Sequence, residues 1–310
     1  MAGRVTQNMM NAQLLRNLNY NLSQMNRLQN QVATGRKINK PSDDPVGITY
    51  SLRYRSELAA NEQYQKNVDH AISWLEFTDS MLNQANNVLQ RVRELAVEGA
   101  NGTNDQTALD AIRSEIEQLR EQMVTIGNSQ FNGKYIFNGQ YTDVKPYSEG
   151  LTVDPATGET VSEAAKSVTD MSKIQYEVGV GVKISVNISG NEVFGGPNDE
   201  DNVFRILDEL VIALKNGKYE DVGAALGKLD SRMDSFLAKR SDIGAMMNRI
   251  ELSQDRLEDI GINLQTLQSK TEDADVAELI TNLKTYENVY QSSLAVGARL
   301  ITPSLVDFLR

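Results

Sequence analysis

From Tyr64 to Ala96 the apolar side chains return in alternating steps of four and three: Tyr64, Val68, Ala71, Leu75, Thr78, Leu82, Ala85, Leu89, Val92 and Ala96. A period of 3.5 sustained over this length describes a helix lying along another helix, and it excludes most other folds. Gly99 and Gly102 end the pattern and Pro45 suits a first turn, so one helix is expected over about 45–99. At 1.5 Å per residue its ~55 residues would reach about 80 Å. A second long seam runs Ile243, Met246, Ile250, Ser253, Leu257, Ile260, Leu264 and Leu267, within a helix expected from Glu220 to about Ser269. Matching length and period predict that the two lie antiparallel. Shorter helices are expected over about 104–128, opened by a capping box at Thr103–Gln106, and from Asn202 to about Lys215.

Both ends of the chain are amphipathic helices of low charge. The first 42 residues hold six basic groups (Arg4, Arg16, Arg27, Arg36, Lys37, Lys40) and no Asp or Glu. Their seam is Leu15, Leu18, Leu22, Met25 and Val32, with Gln29 in a polar slot and Leu28 beside it. Asn and Gln fill the other faces; neutral amides can be buried between neighbours without the cost of desolvating a charge. So few apolar anchors cannot hold such a helix alone in water, so it is expected to order in an assembly. A transit peptide or membrane-surface helix would share the basic amphipathic character, but the amide content and the lack of Trp or Phe on the apolar face argue against both. A core helix of a monomer is the plainer alternative. The last helix, after Thr271, carries Val276, Leu279, Leu283, Tyr286, Tyr290 and Leu294 on one stripe. It stops at Thr302-Pro303 before an apolar tip of Leu305, Val306, Phe308 and Leu309.

Between the first two helices, Gly35 suits a helix end, and Ser42 or Asp43 can cap the next helix. A basic half (Arg36, Lys37, Lys40) abuts an acidic half (Asp43, Asp44). The glycine spacing is wrong for a phosphate loop. In the middle of the chain, Asn132-Gly133 and Asn138-Gly139 bracket Tyr135-Ile136-Phe137, which suggests a small hairpin. Residues 141–201 hold 11 acidic and 4 basic groups. Here Val178, Val180, Val182, Ile184, Val186 and Ile188 alternate strictly, as in one half-buried strand.

Charge and composition exclude several functions. Residues 1–60 carry eight basic and three acidic groups, net +5, so the remainder of a chain of formal charge −11 carries −16. That balance argues against general nucleic-acid binding. Cysteine is absent, removing disulfides and thiolate chemistry. No apolar run is long enough to span a membrane, and the N-terminus lacks the apolar core of a cleaved secretory signal. The single histidine, His70, reads as a helix-surface or packing residue, and Asp43-Asp44 as helix-start partners. No constellation for acid–base, nucleophilic, phosphoryl or metal chemistry is present, so neither an enzyme nor a cofactor is expected. The fold expected is mainly α: a long antiparallel helical rod with terminal coiled-coil helices and a β-rich insert.

These residues also resemble a known family. Val32-Ala-Thr-Gly-Arg-Lys-Ile-Asn…Ser-Asp-Asp-Pro-Val-Gly47 is similar to the turn after the first helix of bacterial flagellins. The turn residues concerned are Gly35, Arg36, Ile38, Asp43, Asp44, Pro45 and Gly47. Pro45-Val46, where flagellins usually carry two small residues, looks like the hook-associated members of that family. So do Phe131-Asn-Gly-Lys-Tyr-Ile-Phe-Asn-Gly139 and the ending Pro303-Ser-Leu-Val-Asp-Phe-Leu-Arg310. The resemblance covers roughly 1–140 and 202–310. It implies a flagellin-like arrangement in three parts. Terminal helices within 1–43 and 270–310 form an inner coiled-coil layer and are disordered in the monomer. Residues 44–140 and 202–269 form the helical rod, and 141–201 an outer insert. It further implies an extracellular adaptor between flagellar hook and filament. Such a protein is exported unfolded through the flagellar type III apparatus, with a chaperone over its C-terminal helix beforehand. It assembles as a ring of identical subunits on the first hook-associated protein, and flagellin grows from it. A flagellin, or from another class a cytoplasmic coiled-coil signalling protein, is the alternative. No nucleic-acid or membrane partner is implied.

Overall fold

The seams fold into long helices where the period places them. The computed structural model describes residues 7–102, 104–153 and 158–301. The elements in order are α1 (Gln7–Thr34), α2 (Pro45–Gly99), α3 (Gln106–Gly127), β1 (Gln130–Phe131), β2 (Lys134–Tyr135), β3 (Leu151–Val153), β4 (Thr160–Ser162), β5 (Gln175–Gly179), β6 (Val182–Ser185), α4 (Gly190–Phe194), α5 (Val203–Lys215), α6 (Tyr219–Glu272) and α7 (Val276–Ile301). A turn of 3-10 helix, Glu163–Lys166, follows β4. The expected apolar tip at 305–309, and Thr103 of the expected capping box, lie outside the described residues. Asp105 caps α3 instead, accepting the N–H of Ala108 at 3.0 Å.

The chain forms two compact units, residues 1–60 with 260–310 and residues 61–259, and the divisions fall inside α2 and α6. Within the second unit, α2 and α6 run antiparallel. Asn61 donates to the Leu257 carbonyl, Gln254 to Asp69, Arg240 to Asp79 and Arg93 to Asp230, so partner numbers fall as α2 numbers rise. The α2 seam is buried: Val68, Ala71, Leu75, Leu82, Ala85, Leu89, Val92 and Ala96 all lie in one core cluster with Ile243, Ile250 and Leu257 of α6. His70 is exposed.

The insert departs from the expectation of a single long strand. Gly181, at φ +72°, turns the chain back, and the alternating run becomes a hairpin of β5 and β6 pairing Tyr176 with Ile184. Val180 on the turn and Val182 just after it are exposed, while Val178, Ile184, Val186 and Ile188 join the core. Gly-Val-Gly has the conformational freedom that a turn needs, and side-chain alternation alone is blind to it. The strands form three separate two-stranded ribbons, β1–β2, β3–β4 and β5–β6. The Asn132-Gly133 hairpin forms as expected, both residues at positive φ as a type I′ turn requires. Ile136 and Phe137 run past it into the core.

Residues 141–201 are built into the second unit. Tyr147 and Phe194 pack with Phe137, Phe204 and Phe236 in an aromatic cluster with centroids 4.8–5.7 Å apart. Arg120 of α3 and Asp208 of α5 form a buried pair at 2.8 Å, and the other Asp208 oxygen accepts the Ser162 N–H at 2.7 Å. Arg232 of α6 holds Asp201 and its carbonyl.

Candidate assembly interface: the terminal helix pair and its turn

The first unit brings the first and last helices together. α1 and α7 pair antiparallel, with Leu14 against Gly297 at one end and the Gly35 carbonyl accepting the Ala274 N–H at 3.0 Å at the other. A Cβ at 297 would lie 2.7 Å from Leu14 Cδ2, so the two helices approach closely there. The sheltered positions of α1 step through Asn11, Leu14, Leu18, Asn21, Met25, Leu28 and Val32, and those of α7 through Leu279, Leu283, Tyr286, Tyr290, Ser293 and Gly297. Both keep the heptad rhythm.

Leu18, Met25 and Val32 therefore lie on the pair's seam and are half-buried, as are Leu279, Leu283, Tyr286 and Tyr290. Leu15 (60% exposed), Leu22 (43%), Val276 (45%) and Leu294 (46%) do not: they stand on the flanks, open to solvent. Met9, Met10, Tyr20, Ile280, Val289 and Val296 are exposed with them. Leu14, Asn21, Leu28, Ser293 and Gly297 take seam places that the sequence pattern assigned elsewhere. The Leu14-Leu15 doublet and the nearby Leu28 admit two registers, and only the partner helix chooses between them.

The turn from Gly35 to Gly47 is a designed corner. Gly35 sits at φ +67°, where a side chain would be strained. Ile38 is buried. Asp43 accepts the N–H groups of Asn39 and Lys40 and faces Arg27 at 3.8 Å. Burial opposes its charge, but those two N–H groups, with Arg27 and Lys40, hold its pKa below the ordinary value. The α2 cap is Asp44, not Ser42 or Asp43: its Oδ1 accepts Val46 N–H at 3.1 Å and Gly47 N–H at 2.9 Å. Pro45 takes the first helical position, where its missing N–H costs nothing. Gly47 admits no side chain, since a Cβ would lie 2.6 Å from Ile38 Cδ1 and against the Asp44 carboxylate.

Arg36 reaches across to Glu272, the last residue of α6, at 3.5 Å. Glu272 is buried and also accepts from Arg55, Ser51 and Gln268. The Arg55 guanidinium, against the opposing effect of burial and with help from Ser51 and Gln268, holds the carboxyl down at about 2. Its signal was present in the sequence: an acidic residue ending a helix opposes the helix dipole and so needs a dedicated partner.

Among the described residues no three His, Asp or Glu side chains gather as a metal site, and no helix is long and apolar enough to cross a membrane. What the first unit offers is surface: a paired-helix stem with exposed apolar flanks and a rigid corner.

An antiparallel terminal helix pair continuing into long antiparallel helices defines a mainly α protein of paired long helices. Two family descriptions match the chain, the bacterial flagellin N-terminal helical region over residues 5–142 and the bacterial flagellin C-terminal helical region over residues 226–309. The chain belongs to the bacterial flagellin family. It is 28% identical to flagellar hook-associated protein 3 of Escherichia coli over 263 residues, 80% of this chain and 81% of that protein. It is 27% identical to the flagellin of Bacillus subtilis over 310 residues, 96% and 95% of the two chains. The crystal structure of Bacillus cereus FlgL superposes with a TM-score of 0.57, covering 70% of this chain and 99% of that one at 21% identity, and so shares the fold. The chain is a structural protein of the bacterial flagellum and not an enzyme.

Proposed function

We propose that this chain is the adaptor at the junction of flagellar hook and filament. The observation that carries an assembly role is the exposed apolar flank of the α1–α7 pair, Leu15, Leu22, Val276 and Leu294. A free soluble protein has no use for so much open apolar helix surface, whereas a subunit packed against neighbours buries it. Heterologous contacts repeated along such helices build rings and tubes. The terminal pair orders on assembly into an inner layer, with residues 44–140 and 202–269 outside it and 141–201 outermost. The partners are identical copies of this chain in a ring, the first hook-associated protein beneath and flagellin above, for which the ring is the template. A pair too weakly buried to fold alone keeps the chain exportable unfolded and leaves the α7 region for an export chaperone to cover.

The relatives carry both names, so the choice of junction over filament rests on Asp44-Pro45-Val46, the Phe131–Gly139 hairpin and the Asp307-Phe308-Leu309 ending. Antibody labelling of intact flagella by electron microscopy tests it. A single band where hook meets filament is expected. Label along the whole filament would make the chain a flagellin, and no label on flagella would overturn the assembly reading.

A further inference from the structure

Glu272 holds more than its own helix end. Its side chain is 2% exposed and is met from three segments: Ser51 and Arg55 of α2, Gln268 of α6 and Arg36 of the turn after α1. The backbone repeats the tie. Lys37 donates its N–H to the Glu272 carbonyl at 2.8 Å, Ala274 donates to Gly35 at 3.0 Å, and Arg36 bridges Asp273. Lys37 Nζ reaches the Lys270 carbonyl at 2.9 Å, and Gln31 of α1 donates to the Lys37 carbonyl at 2.7 Å. The charged side chains that meet the carboxylate are Arg36 and Arg55.

The helix pair beyond this corner specifies its alignment poorly. Its seam mixes Leu with Asn21, Ser293 and Gly297, and unused apolar residues (Leu15, Leu22, Leu294) stand beside it. A heptad repeat of that kind tolerates displacement by one repeat, unless something fixes a starting point. A buried charge contributes little net stability, but setting register is the best-attested use of one.

We propose that Glu272 is the register-setting residue of the terminal pair: by clasping the turn after α1 to the start of α7, it makes the two helices zip outward in one alignment. Slipped pairs would present Leu15, Leu22 and Leu294 to the wrong neighbours. The low proton affinity of the carboxyl agrees with a clasp that stays charged. The inference rests on the assembly role proposed above.

The chain has no cysteine, so introduced pairs report alignment without background. L14C/G297C joins positions that touch in this register, and L14C/Y290C joins positions brought opposite by a slip of one heptad. Both are expressed in the parent bacterium lacking its own copy, and isolated flagella are treated with a mild oxidant. With Glu272 in place, the 14–297 link is expected to dominate. E272Q, which keeps the shape and removes the charge, is expected to shift the ratio of the two links toward the slipped one by about tenfold, the equivalent of about 1.4 kcal/mol. S51A, which removes one donor, should shift it less, and R53A, which breaks only an exposed pair with Glu57, not at all. An E272Q chain that fails to incorporate while circular dichroism shows its helices intact would support the clasp; if E272Q unfolds, the S51A ratio decides. An unchanged ratio in E272Q, or in S51A where that variant decides, would overturn the clasp while leaving the junction role standing. Absence of the unsubstituted chain from flagella would overturn both.

Discussion

Asp43 and Asp44 are neighbours in sequence and serve opposite sides of one corner. Asp43 closes the turn behind it, accepting the N–H groups of Asn39 at 3.1 Å and Lys40 at 2.9 Å, while Asp44 caps the helix ahead, accepting those of Val46 and Gly47. Gly47 completes the arrangement by leaving room for the Asp44 carboxylate and Ile38.

Substitutions at this corner should therefore separate. D44A removes a cap and is expected to cost about 0.5–2 kcal/mol, D44N much less. Hydrogen exchange at the Val46 and Gly47 amides reads it directly. G47A should be worse than D44A, because its Cβ displaces both Ile38 and the cap. Equal exchange in D44A and the natural chain would show that the cap is dispensable.

Much of this architecture was legible. The heptad seams of α2 and α6 gave helices, bounds and pairing, because burial against a partner helix imprints a period on the sequence. The insert was less legible. Residues 176–188 alternate as one strand would, and only Gly181 at positive φ splits them, so the pattern gave the buried places of Val178, Ile184, Val186 and Ile188 and missed the turn that leaves Val180 and Val182 exposed. The α1 seam shows the other limit. Leu14 and Leu15 are equally apolar, and what selects Leu14 is the absent side chain of Gly297, nearly 300 residues away. The Glu272 clasp likewise joins residues more than 200 apart.

The exposed flank makes a clean test of assembly. Leu22 is 43% exposed in the single chain, so L22D places a charge where water can reach it and should leave the free protein's melting curve unchanged within about 0.5 kcal/mol. In the assembled flagellum the same charge would be buried unpaired, which is costly. Incorporation should fall to background in a complementation assay scored by electron microscopy. Normal incorporation of L22D would show that this flank faces solvent in the flagellum. L89A, at a fully buried position of α2, should behave the other way round and cost the free protein about 2–5 kcal/mol in urea unfolding.

Arg120 and Asp208 anchor the insert. Burial pushes the Asp208 carboxyl pKa up despite Arg120 and the Ser162 N–H, so the pair's contribution is geometric more than energetic. D208A strands a buried guanidinium and is expected to cost about 3–5 kcal/mol. The double change R120M/D208L removes both charges and should recover much of that. It would still fall short by about 1–3 kcal/mol, because the Ser162 N–H is left without its acceptor. A double variant as unstable as D208A would mean that the insert depends on the charges themselves.

Glu272 gives the first unit a pH dependence of definite sign. Its carboxyl is lowered from 4.5 to about 2 in the folded chain, first by Arg55. A lowered carboxyl stabilises the fold above its unfolded value, and the contribution is lost as protons bind the folded form. The contribution is present at neutral pH and declines between about pH 4.5 and about pH 2. Asp43, also lowered, acts in the same direction, and Asp208, raised, acts in the opposite one. The informative quantity is therefore the difference between the natural chain and E272Q. Unfolding of the α1–α7 region in assembled flagella, followed by hydrogen exchange across pH 6 to 2.5, should show the two diverging at neutral pH and converging at the acid end. Parallel curves throughout would mean that Glu272 titrates alike folded and unfolded, and that its enclosure by Arg55, Ser51 and Arg36 does not persist in solution.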